Sequence, residues 1–373
     1  MIAPLFVQSF PQACLSPAVG IHPFLSGRIP YSKQQPSKEV LLIMKRFFAL
    51  GLAACLALIA VLAGCSSTPE KIRIGEVTRS LFYAPQYVAL EKGFFKEEGL
   101  DVELSTIPGG DKVMSALLSG GIDVALVGSE TSIYVSQQGA ADVVVNFAQL
   151  TQTDGTFLVA RNKPDQFSFD QLKGSVFLGQ RKGGMPQMVG EYVLKKHQIN
   201  PQSDLELIQN IEFKNIASSF ASGTGEYVQL FEPEASRFEQ EGIGHVVASF
   251  GKESGTVPYT VYMTKQSNID SNAATIQKFT NAIYKGQQWV ASHSAKETAA
   301  VIGKYFEQID PTILEKAVQR YLEQGSYATD PILDEAEWNQ LQDIMDAAGE
   351  LKQRADYSKL VNTTFAKQSK EGN

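Results

Sequence analysis

The side chains able to recognise a small molecule fall in five short clusters. Arg79, Ser80, Phe82 and Tyr83 put a cation, a hydroxyl and two rings within five residues. Ser129, Glu130 and Thr131 follow a glycine, and Gln152 and Asp154 stand in a polar run. Gln180, Lys182, Gly183 and Gly184 combine an amide, a cation and a permissive backbone, and Glu232 precedes Pro233. Two chemistries are open to this set. Hydroxyls, backbone N–H groups and Arg79 or Lys182 would hold a small oxyanion. Phe82 or Tyr83 would instead stack on a heteroaromatic ring while Glu130, Asp154 and Glu232 accept hydrogen bonds from its N–H groups. Carboxylates on the same rim repel an anion, which tips the balance toward the heteroaromatic solute.

Covalent and metal chemistry find little support. The three cysteines, Cys14, Cys55 and Cys65, all lie in the first 65 residues, so the rest of the chain has no thiol for a disulfide, a zinc site or a nucleophile. His197, His245 and His293 do not pair at metal-ligand spacing. Gly183-Gly184 is not followed by the Gly-Lys-Ser/Thr of a phosphate loop. No catalytic residue, metal or cofactor is expected. Five basic residues and one acidic residue precede Cys65, out of 33 and 40, leaving 28 against 39 and a net charge of −11. Such a chain repels phosphates, so nucleic acid is not an expected partner.

The elements that would position the clusters alternate. Strands are expected at Ile72–Val77, Leu100–Leu104, Ile122–Val127 and Val143–Phe147, with helices at Ala84–Lys92 and Asp111–Leu118. A crossing near Phe157–Ala160 leads to strands at Ser175–Leu178, Leu205–Ile208, Tyr227–Phe231 and Val246–Phe250. Between them lie helices at Pro186–Lys196, Glu212–Ala221 and Pro233–Glu241. Tyr259–Met263 reads as a second crossing, and the remainder is helical. Asp310-Pro311 and Asp330-Pro331 each place a capping acid before a proline suited to the first helical position. Nearly continuous apolar strands between helices imply a mainly parallel sheet covered on both faces. Ligands of such sheets sit beyond the carboxyl ends of strands, where the five clusters fall.

The run Pro85-Gln86-Tyr87-Val88-Ala89-Leu90-Glu91-Lys92-Gly93-Phe94-Phe95-Lys96-Glu97-Glu98-Gly99-Leu100-Asp101-Val102 resembles a hallmark of the solute-binding proteins of ABC importers for nitrate, sulfonates and pyrimidine vitamin precursors. Gly109-Gly110-Asp111, Ala116 to Ala125 and Glu232-Pro233 extend the likeness, which spans about residues 71–290. The resemblance implies a two-lobed periplasmic-binding-protein fold of type II, with two crossing strands as the hinge. Lobe one would be 71–157 plus 258–373 and lobe two 162–252. It also implies capture of a small solute between the lobes and delivery to a permease and its ATPase, by a monomer. Pyrimidine synthases and menaquinone-pathway enzymes share this fold, so an enzyme is the alternative of another class, and a solute sensor a third. The cysteine-rich motif of those synthases is absent.

Ahead of this body, Lys45-Arg46 leads into an apolar run from Phe47 to Leu62, the parts of a secretory signal. Leu62-Ala63-Gly64-Cys65 resembles the lipobox of bacterial lipoproteins, which implies a signal peptide over 44–64, lipid on Cys65 and a tether over 65–70. The product is then expected outside the cytoplasmic membrane, anchored to it. Residues 1–43 are proline-rich and fit no signal, and the expected start is Met44, with an unusually long leader as the alternative.

Overall fold

The computed structural model describes Leu42 and residues 69–372. The expected start at Met44, signal peptide and lipid site at Cys65 lie outside the described residues.

The chain alternates as its periodicity requires. The first sheet's part runs β1 (Glu70–Glu76), α1 (Ala84–Glu91), α2 (Phe94–Glu97), β2 (Leu100–Thr106), α3 (Gly110–Leu118), β3 (Val124–Gly128), α4 (Glu130–Gln137) and β4 (Val144–Thr151). The second sheet's part runs β5 (Thr156–Ala160), β6 (Val176–Leu178), α5 (Met185–Lys196), β7 (Glu206–Ile208), α6 (Ile216–Ala221), β8 (Tyr227–Phe231), α7 (Glu234–Glu241), β9 (His245–Ser249) and α8 (Phe250–Ser254). The chain returns as β10 (Thr260–Lys265). It continues through α9 (Gln266–Ser292), α10 (Ala295–Ile302), α11 (Pro311–Gln324), α12 (Glu335–Ala347), α13 (Tyr357–Leu360) and α14 (Thr364–Glu371). Glu70, expected in the tether, already pairs with Leu100.

Strand order is β2-β1-β3-β10-β4 in one sheet and β7-β6-β8-β5-β9 in the other. The two lobes are therefore α/β layers with mixed sheets. β1, β2 and β3 run parallel, as do β6, β7 and β8. β10 is antiparallel to both its neighbours, and so is β5. These are the strands by which the chain enters a sheet from the other lobe. The segment expected to cross, Phe157–Ala160, lies wholly within the second sheet as β5, and the crossing itself is residues 152–155. β4 and β5 are buried along their full length, because helices cover both faces of each sheet.

Helix starts follow local chemistry. Asp310 Oδ1 accepts from the Thr312 N–H at 2.8 Å, ahead of Pro311 at the first position of α11. Asp330-Pro331, expected to start a helix, stands in a turn instead. α12 begins later, where Asp334 and Glu337 close a reciprocal capping box. The box caps two orphan donors where Asp330 would cap one.

Two glycines at and beside the first crossing are packed too closely for a side chain. A Cβ on Gly155 would lie 2.9 Å from the rings of Phe231 and Phe82. On Gly251 it would lie 2.3 Å from the Asp154 carbonyl. α11 braces this region: the Tyr321 hydroxyl accepts from the Glu232 N–H at 3.1 Å and donates to the Gly155 carbonyl at 3.2 Å.

Candidate functional site

The first cluster follows β1. Ser80 Oγ accepts from the Phe82 N–H at 3.2 Å and caps a 3-10 turn over Leu81–Tyr83. Arg79 is engaged by Glu76 at 2.9 Å and lies over the rings of Tyr87 and Tyr305. Phe82 is core: its ring packs against Tyr83, Phe231, Tyr259 and Tyr321. Tyr83 is buried beside Thr260, and burial, followed by the neighbouring charges of Glu76 and Glu130, pushes its hydroxyl pKa up.

The second cluster links β3 to α4, where Gly128 gives way to Ser129 and the helix opens on Glu130. Thr131 is internal to the turn, its Oγ1 donating to the Gly128 carbonyl at 2.7 Å. Ser129 is fully buried and its Oγ has no hydrogen-bond partner among the described residues. Glu130 is 5 % exposed, its carboxylate folded over the Gly128 Cα, and its Oε2 is likewise unpartnered. Burial pushes its pKa up to about 7, against the opposing pull of N–H groups that include Met185 at the start of α5. A lobe-one carboxylate and a lobe-two helix N-terminus thus meet across the seam.

The first crossing carries Gln152 and Asp154. Gln152 serves structure, its Nε2 donating to the Gly325 carbonyl at 3.0 Å. Asp154 is fully buried. Its Oδ1 accepts from the Thr156 N–H at 2.6 Å and from the Thr156 hydroxyl, while Oδ2 is unpartnered. Burial raises its pKa to about 7.

In the second lobe, Gln180 is buried and donates to the Gln229 carbonyl at 2.7 Å. Lys182 and Gly183 are exposed. Gly183 has a φ of +91°, which an L side chain rarely adopts, and its N–H donates to Gln187 Oε1 at 3.0 Å. Gly184 is the N-cap of α5. Glu232 is buried but consumed: it accepts from the Ser236 N–H and hydroxyl, each at 2.9 Å, and from Arg320 at 2.6 Å.

Of the expected residues, the structure brings Tyr83, Ser129, Glu130 and Asp154 together. Tyr259 joins them, and sequence reasoning missed it. It is buried, and its hydroxyl pKa is raised by burial, then by the charges of Asp154 and Glu130 and by its contact with the Asp154 carboxylate. The signal was its position: it lies on the second crossing, one residue before β10, and its carbonyl accepts from the Ser129 N–H at 3.3 Å. Arg79, Lys182 and Glu232 are not part of this set. Among the described residues no group of three or more His, Cys, Asp or Glu side chains could hold a metal ion. An open groove of about 550 Å³ lies apart from it, between β9 and α11, lined by Phe157, Phe169, His197 and Arg320 among others.

Unpartnered buried acceptors beside hydroxyls and a helix N-terminus can receive hydrogen bonds from a bound molecule. A protein of Bacillus subtilis (strain 168) named as a candidate binding protein, YtlA, is 61% identical over 327 residues, covering 87% of this chain and 98% of that one. The bicarbonate-binding protein CmpA of Synechococcus elongatus is 24% identical over 274 residues, 66% of this chain and 60% of its own length. Among solved structures, the alkanesulfonate-binding protein SsuA from Xanthomonas axonopodis pv. citri, bound to MOPS, superposes with a TM-score of 0.65 at 15% identity, covering 80% of this chain and 100% of that one. At that identity the likeness shows the fold, a two-lobed binding-protein architecture. The sequence pattern of the NMT1-like family matches residues 66–303, and the chain belongs to that family.

Proposed function

We propose that the protein is the extracytoplasmic solute-binding component of an ABC importer. It holds a small solute at Tyr83, Ser129, Glu130 and Asp154 between the lobes and delivers it to the permease and its ATPase by opening about the two crossings. The observation that carries this reading is the buried Glu130 carboxylate, whose Oε2 has no hydrogen-bond partner among the described residues. A buried acceptor left unpaired costs roughly 1–3 kcal/mol, and a solute that supplies the missing donor recovers it on binding. The solute favoured on this ground is a pyrimidine or another heteroaromatic vitamin precursor bearing ring N–H or amino groups, with a ring suited to tyrosine. Export and lipid attachment at Cys65 would hold a monomer at the membrane surface, where its partners lie.

The oxyanion reading draws on the names of distant relatives, which include bicarbonate and alkanesulfonate binders. In this chain the cations it would need are spent or remote, since Arg79 is paired with Glu76 and Lys182 is exposed. The test is a thermal-shift panel of aminopyrimidines, taurine, nitrate and bicarbonate. A ligand that binds only the folded form raises the melting temperature by mass action. The account expects the shift with aminopyrimidines, and a shift with an oxyanion alone would transfer the role to that class.

A further inference from the structure

Helix α5 shows lobe one a single face. One side of the helix lies on its own lobe: a Cβ on Gly190 would sit 2.8 Å from Gln229 Oε1 of β8, and Val189, Val193 and Leu194 are fully buried. On the other side Met185, Met188, Tyr192 and Lys195 recur at spacings of three, four and three, which sets them in one stripe. Each meets a group of lobe one. Glu130 lies against the Met185 N–H at the start of the helix. The Tyr134 hydroxyl of α4 donates to Met188 Sδ at 3.6 Å. Gln340 Nε2 of α12 donates to the Tyr192 hydroxyl at 3.3 Å, and Lys195 Nζ donates to the Ala347 carbonyl at the end of α12. α12 is itself tied to β4, where Gln149 Nε2 donates to Glu337 Oε1 at 3.3 Å. Gln340 Nε2 also reaches the Ser254 carbonyl at 3.3 Å, where α8 leads into the second crossing.

The chemistry of the stripe is that of a joint able to part. Its contacts are made by a thioether, a phenol, an amide and an ammonium, each weak alone, and methionine adapts to a shifted neighbour. A stripe of leucines would bury more apolar surface and separate less readily. We propose that α5 is a latch: its Met185–Met188–Tyr192–Lys195 face holds the two lobes closed in the ligand-free protein. Closure then precedes the solute, and entry waits for a transient opening in which α4 and α12 release α5. Because Gln340 holds both α5 and the root of the second crossing, its release frees the helix and the hinge together. The inference goes beyond solute capture and needs no particular solute.

The Met185 amide reports the latch. Met185 is 1 % exposed and its N–H has no main-chain partner among the described residues, so its shielding from solvent depends on the closed seam. Hydrogen exchange of the ligand-free protein, read by nuclear magnetic resonance, is expected to be slow there. Gln340→Ala, which removes both contacts of that side chain, is expected to speed it at least about fivefold. Tyr192→Phe, which removes one, should speed it by less. Exchange at the buried strand residues Leu158 and Val228 should keep its wild-type rate. Wild-type exchange at Met185 as fast as in an unfolded chain would place the resting protein open and overturn the inference. So would equal rates at Met185 in the protein and Gln340→Ala, or an equal acceleration at Leu158 and Val228, which would mean general loosening. No solute enters these readings, so latch and capture can fail separately. A protein that passes this test yet binds nothing in the thermal-shift panel keeps the latch and loses the capture reading.

Discussion

At the foot of α7, Glu232 is buried and wholly committed: Ser236 donates to it twice, and Arg320 reaches across from α11 to pair with it and with Glu239. Glu76 is treated the same way, with donors from Arg79, Gln86, Tyr87 and Thr106 between 2.7 and 2.9 Å. At the seam between the lobes, Glu130 and Asp154 are as deeply buried, yet each keeps one oxygen without a donor. The difference separates acids whose oxygens are both paired within the protein from acids that keep one oxygen unpaired among the described residues. Desolvating a carboxylate is tolerable when donors repay it locally, and at the seam the protein withholds them.

Breaking the committed region should cost most. Arg320→Ala strips Glu232 of its counter-charge while leaving it buried, and is expected to destabilise by roughly 3–5 kcal/mol, read as a lower midpoint in urea. Solute affinity in the folded fraction should hardly move. Glu130→Gln should do the reverse. Losing a charged acceptor is worth roughly 1.5–3 kcal/mol of binding, or at least a tenfold weaker dissociation constant by calorimetry, with no loss of stability. If Glu130→Gln destabilises the chain as Arg320→Ala does, the contrast between the regions fails.

The pH dependence of stability sharpens the same contrast. Glu130 and Asp154 have folded-state pKa values raised to about 7, above their unfolded values near 4. The folded state therefore holds more protons between these limits, and each group's contribution to stability is present below about 4 and is lost as pH rises toward 7. Glu337, also raised to about 7, adds to the slope. Melting temperatures of ligand-free protein between pH 4.5 and 7.5 should fall less steeply in Glu130→Gln than in wild type. An unchanged slope would mean that Glu130 is ionised throughout. The smallest effect belongs to Lys182→Ala, at an exposed side chain, which should alter stability by no more than about 0.5 kcal/mol and leave affinity within twofold. A large loss of affinity there would revive the oxyanion.

The α/β alternation was legible because apolar strands and amphipathic helices carry their period in the sequence. Strand direction was not, since β5 and β10 show the same alternation whichever way they run. Ser129 and Glu130 could be found because they follow a parallel strand of the first sheet. Tyr259 could not, because a tyrosine one residue ahead of an apolar strand reads as part of that strand. Nor could the fate of Glu232 be foreseen: its partner Arg320 lies 88 residues away, and only the packing of α11 against α7 brings them together. Phe82 looked like a stacking platform, and its neighbours Phe231 and Tyr321 instead close around it.

The central claim is that the seam's carboxylates receive N–H donors from the solute, and proton release tests it most directly. Near pH 7 both acids are partly protonated in the free protein. A solute that donates to them favours the ionised form, whereas an oxyanion placed beside them favours the protonated form. Titrating the best-binding compound into the protein in buffers of different ionisation enthalpy gives the protons exchanged per solute bound. The account predicts release of protons at pH 7, lost in Glu130→Gln. Uptake of protons, or none exchanged, would contradict it.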